Sequence, residues 1–329
     1  MKDIAEYSKV SLATVSRVLN GSSNVSVEKR KQVMEWVHRL DYNINISASG
    51  LAGSSSSLIG VIFSDLANPF FMDILIQMEE EAYRLGYSII ISNTHGQKNK
   101  IRESINTFEA RQVDGVLLCI DSDETALMQY ILQKNIPAVS FTQPSELIDS
   151  VYTPMEKGGA LVAQHFLDMG HEKMAYVGDK IEPKLTGFLN HLNQNGIGSE
   201  NVNIVEIDKW GNLSNYEITK RIRELTSTKK DEITAVFAFN DVTAIQVMQA
   251  FQDEGIRIPE DIALAGFDNI SLSRKISPTL TTVGQPTKEI GRLAVEILIK
   301  RINQENIAPP EAITLEPYLI VRKSTRQTK

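Results

Sequence analysis

The spacing of apolar positions along the chain changes character near residue 58. Before that point apolar side chains recur at the three- and four-residue intervals of helices. Lys2 to Ser8 predicts a short helix with Ile4 and Ala5 facing inward. After a break at Val10, Ser11 is placed to cap a second helix over 12–20, in which Val15, Val18 and Leu19 make one apolar face. The opposite face shows Leu12, Ala13, Thr14, Ser16, Arg17 and Asn20, and Gly21 supplies a stop. Ser26 is placed to cap a third helix over 27–40, whose Val33, Met34 and Val37 would cover the first two. Such an arrangement fits a helix-turn-helix unit, and the periodicity alone fits a plain structural bundle equally well.

From Leu58 onward short apolar runs alternate with amphipathic helices. Leu58–Ser64, Ser88–Ser92, Gly115–Ile120 and Pro137–Phe141 read as buried parallel strands, with helices near 70–85, 99–112 and 124–134 between them. A second set follows at Met174–Gly178, Val202–Ile207, Ala235–Phe239 and Ile262–Phe267, with helices near 158–169, 184–195, 215–226 and 242–254. The expected fold class is therefore a small all-α helix-turn-helix head followed by an α/β body of two doubly wound parallel-sheet lobes, like a periplasmic binding protein.

Between head and body lies Asn43 to Gly53, followed by Ser54 to Ser57. Small polar residues fit a flexible linker. Alternatively, Asn45 can cap a turn or two of helix ending at Gly53, with Ala48 and Leu51 on one side. Eight residues are too few to be helical alone, and Gly50 costs roughly another 1 kcal/mol, so that helix would need a partner. The expected domains are 1–43 for the head, 44–57 for the hinge, 58–155 with 286–315 for the first lobe, and 156–285 with 316–329 for the second.

Composition narrows the class. Of 329 residues 42% are hydrophobic and 23% charged, ordinary values for a globular protein. No apolar run approaches the roughly 20 residues that cross a bilayer, and acids stand where a signal peptide would be basic. A cytoplasmic protein, neither secreted nor in the membrane, is expected. The single cysteine, Cys119, can form no internal disulfide and reads as core filler. A net charge of −7 argues weakly against nucleic acid. However, residues 1–53 hold seven Lys/Arg against five Asp/Glu, so a mildly basic head precedes an acidic body.

The body lacks the usual chemistry of enzymes. No Gly-x-Gly-x-x-Gly follows the first strand, no phosphate-cradling Gly-Lys loop is present, and no Cys/His cluster has metal spacing. The histidines (His38, His95, His165, His171, His191) are scattered. No catalytic residue, cofactor or metal is expected. Loops beyond the carboxyl ends of parallel strands are where such sheets bind ligands. There Asn68-Pro-Phe-Phe offers Phe70 and Phe71, Asp208-Lys-Trp-Gly offers Trp210, and two further strand ends offer Asn240 and Asp268. Aromatic faces against C–H surfaces, with Asn and Asp for hydroxyl groups, make a sugar site plausible. Singly, Phe71 could equally be core, Asp241 a helix cap and Trp210 a loop anchor.

Lys2-Asp-Ile-Ala and Val10-Ser-Leu-Ala-Thr-Val-Ser-Arg-Val-Leu-Asn-Gly closely resemble the LacI/GalR family of bacterial repressors. The likeness continues through Arg111-Gln-Val-Asp-Gly-Val, Gly187-Phe, Ala238-Phe-Asn-Asp, Ile258-Pro-Glu-Asp-Ile, Gly266-Phe-Asp, Thr281-Thr-Val-Gly-Gln-Pro and Leu319-Ile-Val-Arg-Lys-Ser-Thr. It implies that Leu12, Ala13 and Arg17 read bases, that Thr14, Ser16 and Asn20 hold phosphates, and that Leu51 wedges a minor-groove step from a hinge helix formed on DNA. It further implies effector contacts at Phe70, Phe71, Thr142, Lys184, Thr186, Trp210, Asn240 and Asp268. Several positions depart from the family pattern. Lys9 fills a turn position often held by Gly or Asn, and the chain starts a few residues later than is usual. Ile44 and Ser49 replace a common Pro and Arg, Lys184 replaces Arg, and Thr142-Gln143 replace an acid or amide followed by Arg.

The resemblance implies a homodimer reading an inverted-repeat operator in double-stranded DNA. Its operator affinity would change by roughly 5–150-fold when an effector binds between the lobes. The less charged cleft and Trp210 point to a sugar or sugar phosphate, with a disaccharide or glycoside favoured. A purine or nucleoside effector, or a global catabolite-type regulator controlled by a partner protein, would use the same architecture. A periplasmic sugar-binding protein would have no use for residues 1–53, and a nucleotide-dependent oxidoreductase needs the missing glycines.

Overall fold

The computed structural model describes residues 1–19, 24–40, 42, 55–119, 125–207, 219–225, 233–304 and 308–325. Two compact units result, Met1–Ser56 and Ser57–Lys329.

Among its described residues the first unit has three helices, α1 (Lys2–Tyr7), α2 (Leu12–Leu19) and α3 (Val27–Arg39). Ile4, Val15, Val18 and Val33 are buried together, with Ala5, Leu19, Trp36 and Val37 packed around them. Met34, expected inside, is 37% exposed. The inward stripe of α3 runs along Val33, Trp36 and Val37, and Met34 stands about 100° round the helix from Val33. Trp36 stacks on Tyr7 with ring centroids 4.8 Å apart, joining α3 to α1. Ser11 caps α2 as expected, accepting the Thr14 N–H at 3.2 Å. Ser26 precedes α3 but makes no side-chain capping bond. Between α1 and α2 the chain reverses at Lys9, whose φ is 54°. Val10 N–H returns to the Ala5 carbonyl and Lys9 N–H to that of Glu6, a Schellman-type ending.

In the second unit β1 (Leu58–Phe63), α4 (Pro69–Arg84), β2 (Ser88–Asn93), α5 (Lys98–Ala110), β3 (Gly115–Leu118), α6 (Thr125–Gln133), β4 (Ala138–Phe141) and β5 (Asp149–Tyr152) build the first lobe. The chain continues through α7 (Met155–Asp168), β6 (Met174–Gly178), α8 (Pro183–Gln194), β7 (Val202–Glu206), helix α9 (219–225), β8 (Ala235–Ala238), α10 (Asp241–Asp253), β9 (Ala263–Asp268) and β10 (Thr281–Gly284). Then α11 (Thr287–Ile302), β11 (Ala312–Thr314) and β12 (Tyr318–Ile320) complete it. The first sheet has the order β11-β5-β4-β3-β1-β2 and the second β12-β10-β9-β8-β6-β7. Strand pairing is parallel throughout except between β12 and β10.

Four strands were invisible to a reading based on apolar runs: β5, β10, β11 and β12. Asp149-Ser-Val-Tyr and Thr281-Thr-Val-Gly carry polar residues that the sheets nonetheless bury. Conversely, β2, read as a buried strand from its Ile89-Ile90-Ile91 run, is only partly buried, because it is an edge strand. Period-2 alternation sorts β1 between two cores. Ile59, Val61 and Phe63 pack with α4 and α11, whereas Ile62 packs with α5 and α6. The chain passes between the sheets after β5, after β10 and between β11 and β12. Among the described residues no helix is long and apolar enough to cross a membrane.

Candidate ligand cleft and DNA-reading face

The carboxyl ends of both parallel sheets converge on one cleft of about 110 Å³. From the first lobe, Ser64 and Asp65 follow β1, and Asn68 caps α4 by accepting the Phe70 N–H at 3.1 Å. Pro69 at the first helical position fixes the entry angle and turns Phe70 and Phe71 towards the cleft. Their rings meet edge to face at 5.2 Å, and Phe71 leans on Phe63 at 6.0 Å. Cys119 follows β3, with its sulfur 3.3 Å from the Thr142 hydroxyl and 3.5 Å from that of Ser64. Thr142, just past β4, has a φ of 78° and donates its N–H to the Val151 carbonyl at 2.9 Å.

The second lobe contributes Glu182, Lys184, Phe239, Asn240, Asp268 and Gln285. Lys184 sits on α8, which lies almost in backbone contact with α7. A Cβ on Gly187 would come 1.9 Å from the Glu156 carbonyl oxygen, and one on Gly159 1.9 Å from that of Lys184. Lys184 is buried, donates to the Phe239 carbonyl at 2.9 Å, and lies 4.4 Å from the Phe267 ring centroid. Asn240 spends its Oδ1 on the α10 cap, accepting the Thr243 N–H at 2.8 Å. Asp268 Oδ1 accepts from Gln285 Nε2 at 2.8 Å, and Oδ2 accepts from Asn68 Nδ2 at 3.3 Å, which bridges the lobes. Burial raises the Asp268 pKa, against the pull of the Lys184 charge. Behind it Asp241 is fully buried, taking the Thr282 hydroxyl at 2.6 Å and the Ile270 N–H at 2.9 Å. Its pKa is pushed up to about 8, chiefly by burial and further by the Asp268 charge.

In the three-helix unit, Leu12 is 46% exposed at the start of α2, with Ala13 and Arg17 exposed beside it. Thr14 and Ser16 are half-buried, and the Thr14 hydroxyl pairs with that of Ser11 at 2.9 Å. Thus Leu12, Ala13 and Arg17 are exposed together on the face opposite Val15 and Val18.

Residues 1–45 match the model of bacterial regulatory proteins of the lacI family, and 163–325 match a periplasmic binding protein-like domain. The HTH-type transcriptional repressor PurR of Photobacterium profundum is 32% identical over 99% of this chain and 98% of its own. The chain belongs to the LacI family. Among solved structures, a Lac repressor dimer bound to operator and the anti-inducer ONPF superimposes with a TM-score of 0.85 at 27% identity, over 98% of each chain. A LacI-family regulator from Enterococcus faecium with bound ribose gives 0.72 at 26%, over 83% of this chain and 100% of that one. This LacI-family chain is accordingly a DNA-binding transcriptional repressor with a ligand-binding body.

The cleft brings together six of the eight sequence-predicted effector residues: Phe70, Phe71, Thr142, Lys184, Asn240 and Asp268. Thr186 does not join them. It is exposed on α8, two residues and some 200° round the helix from Lys184. Trp210, and on the DNA-reading side Asn20 and Leu51, lie outside the described residues. Cys119, read as core filler, is indeed buried but also lines the cleft. Sequence reasoning passed over Ser64, Asp65, Glu182 and Gln285, which line the cleft. Ser64 and Gln285 each directly follow a strand, a signal that would have found them.

Proposed function

We propose that the cleft binds a neutral single-ring sugar and that this binding changes operator affinity. The observation that carries the reading is the imbalance of charge in the described lining. Asp65, Glu182 and Asp268 face one cation, Lys184, whose ammonium already serves the Phe239 carbonyl and the Phe267 ring. A phosphate there would add negative charge beside carboxylates without an arginine fork to meet it. Hydroxyl groups suit the site better, since they donate to carboxylates and accept from the amides of Asn68, Gln143, Asn240 and Gln285. Phe70, Phe71 and Phe239 supply apolar faces for sugar C–H groups. The described part of the cleft, about 110 Å³, is small, and for that reason we propose one sugar ring where the sequence suggested a disaccharide.

The head reads DNA through Leu12, Ala13 and Arg17, with Thr14, Ser16 and Asn20 on phosphates and Leu51 as the hinge wedge. Residues 1–43 form the reading domain and 44–57 the hinge. The two lobes comprise 58–155 with 286–315 and 156–285 with 316–329, supported by β11 pairing in the first sheet and β12 in the second. The repressor acts as a homodimer on an inverted repeat in double-stranded DNA. The absence of a membrane-crossing helix among the described residues fits a cytoplasmic site of action.

A thermal-shift panel of aldoses, disaccharides, sugar phosphates, purines and nucleosides, followed by operator binding with each hit, tests the reading. A neutral monosaccharide should raise the melting temperature and alter operator affinity. Preferential binding of a phosphorylated sugar or a purine would overturn it.

A further inference from the structure

The turn after β9 is held in a backbone shape that side chains rarely adopt. Asp268 has a φ of 101° and Asn269 one of 54°. Two consecutive non-glycine residues in this region persist only where surrounding contacts over-determine them. The turn also lies against the first lobe. Asp268 accepts from Asn68, and Ile270 is buried in the hydrophobic cluster of Phe63, Phe70 and Ile74.

Three groups hold the turn from behind. Asp241 accepts the Ile270 N–H, and the Thr282 hydroxyl accepts the Asn269 N–H at 3.2 Å. The third comes from the far end of the chain, in the Leu319-Ile-Val-Arg-Lys-Ser-Thr string whose role the fold alone leaves open. Arg322 Nη2 donates to Asn269 Oδ1 at 2.6 Å, while Nη1 donates to the Ser273 hydroxyl at 2.8 Å and the Leu280 carbonyl at 2.7 Å. Its own backbone is fixed, since Arg322 N–H donates to the Thr281 hydroxyl at 2.8 Å. One planar guanidinium thereby ties the turn, the short helical segment Ser271–Arg274 and the start of β10 together.

We propose that Arg322 is a positioning residue of the cleft: its grip on Asn269 holds the turn in shape and so aims the Asp268 carboxylate at the bound molecule. It touches no ligand itself and acts through Asn269. The functional consequence rests on the sugar-site reading above, whereas the grip on the turn does not.

The test uses the full chain. Hydrogen exchange is followed in ligand-free wild type, Arg322→Met, Asn269→Ala and Asn269→Asp. In the first two variants the amides of Asn269 and Ile270 should exchange about ten-fold faster or more, with β1, α4 and β6 unchanged. Asn269→Asp retains an acceptor for the guanidinium and should keep the protection. Unchanged exchange at the turn, or faster exchange throughout the second lobe, would overturn the proposal. Calorimetry with D-ribose then reads the consequence. Asn269→Ala should weaken binding about ten-fold in wild type and have little further effect in Asp268→Asn. Additive effects would mean that Asn269 does not act through Asp268. If wild type binds neither ribose nor any other sugar of the panel, the sugar reading fails while the exchange data still decide the grip.

Discussion

At the scale of single residues, two side chains show how differently burial and exposure set a role. Asp241 is a carboxyl group with no exposure, its pKa pushed from 3.8 to about 8. Between those values the folded chain keeps a proton that the unfolded chain has released, so this residue's contribution makes stability fall as pH rises from about 4 to about 8 and level off above. Asparagine can accept the Ile270 N–H and donate to the Thr282 oxygen without titrating. Asp241→Asn should therefore gain stability relative to wild type as pH is raised from 5 to 8, measured by denaturant unfolding at each pH. A constant difference would show that Asp241 does not titrate in this window. Arg17 is the opposite case, an exposed side chain with its guanidinium free for a base edge. Arg17→Ala should cost about 1–3 kcal/mol in operator binding, read by fluorescence anisotropy, with the melting temperature of the chain unchanged. The shared exposed face of Leu12, Ala13 and Arg17 was legible because they lie within one helical string, where spacing alone fixes which side chains share a face. Arg322 and Asn269 were not legible as a pair. They are 53 residues apart, and nothing in either local pattern says that they meet.

At the scale of elements, helix ends were the easiest features to read. The helices expected to stop near 85, 169, 195 and 254 are followed by Gly86, Gly170, Gly196 and Gly255, all with positive φ. Glycine takes that conformation without a Cβ clash, which is why it terminates helices so often. Lys9, Gln112 and Asn135 perform the same reversal without glycine, and there the sequence signal is weaker. Short strands were the hardest. The three residues of β11 and the three of β12 are too few for a period to show. Close helix packing likewise leaves only a glycine as its trace. In the α7–α8 contact the absence of a Cβ at Gly187 lets α8 rest on the Glu156 carbonyl, and this seats Lys184 in the cleft. Gly187→Ala places a methyl group where backbone already stands, so one helix must shift. Overpacking of this kind costs about 1–3 kcal/mol or more. The variant should melt at a lower temperature and bind its ligand more weakly, whereas Gly196→Ala, which strains a positive-φ helix end without meeting any neighbouring atom, should also lower the melting temperature but leave ligand binding unchanged.

At the scale of the molecule, the first lobe presents a face that a lone chain does not explain. Met72, Ile76 and Tyr83 form an outward stripe along α4, at 40%, 49% and 80% exposure. Ile91, at 45%, continues it onto β2, the edge strand of the first sheet. The inward side of α4 is already occupied, with Ile74 and Met78 packed in the core beside α11. Leu75, Tyr87 and Ile89 join the exposed residues around one groove. Glu79 and Glu80 line the same groove. Exposed apolar side chains grouped in this way mark an association site, and an open edge strand is an aggregation hazard unless covered. In the proposed homodimer, a second copy meeting the same patch across a two-fold axis would cover both at once. That arrangement would bring two reading heads to one inverted repeat, so that engagement of the second becomes intramolecular and affinity rises by orders of magnitude. Ile76→Asp combined with Tyr83→Asp places charge on the stripe without touching the α4 core. Sedimentation should show the variant as a monomer, with unfolding of the body close to wild type. Operator affinity should fall at least ten-fold even with the heads intact, because each head then binds its half-site alone. A variant that stays dimeric would move the interface elsewhere on the body. A monomer with undiminished operator affinity would separate DNA recognition from dimerisation altogether.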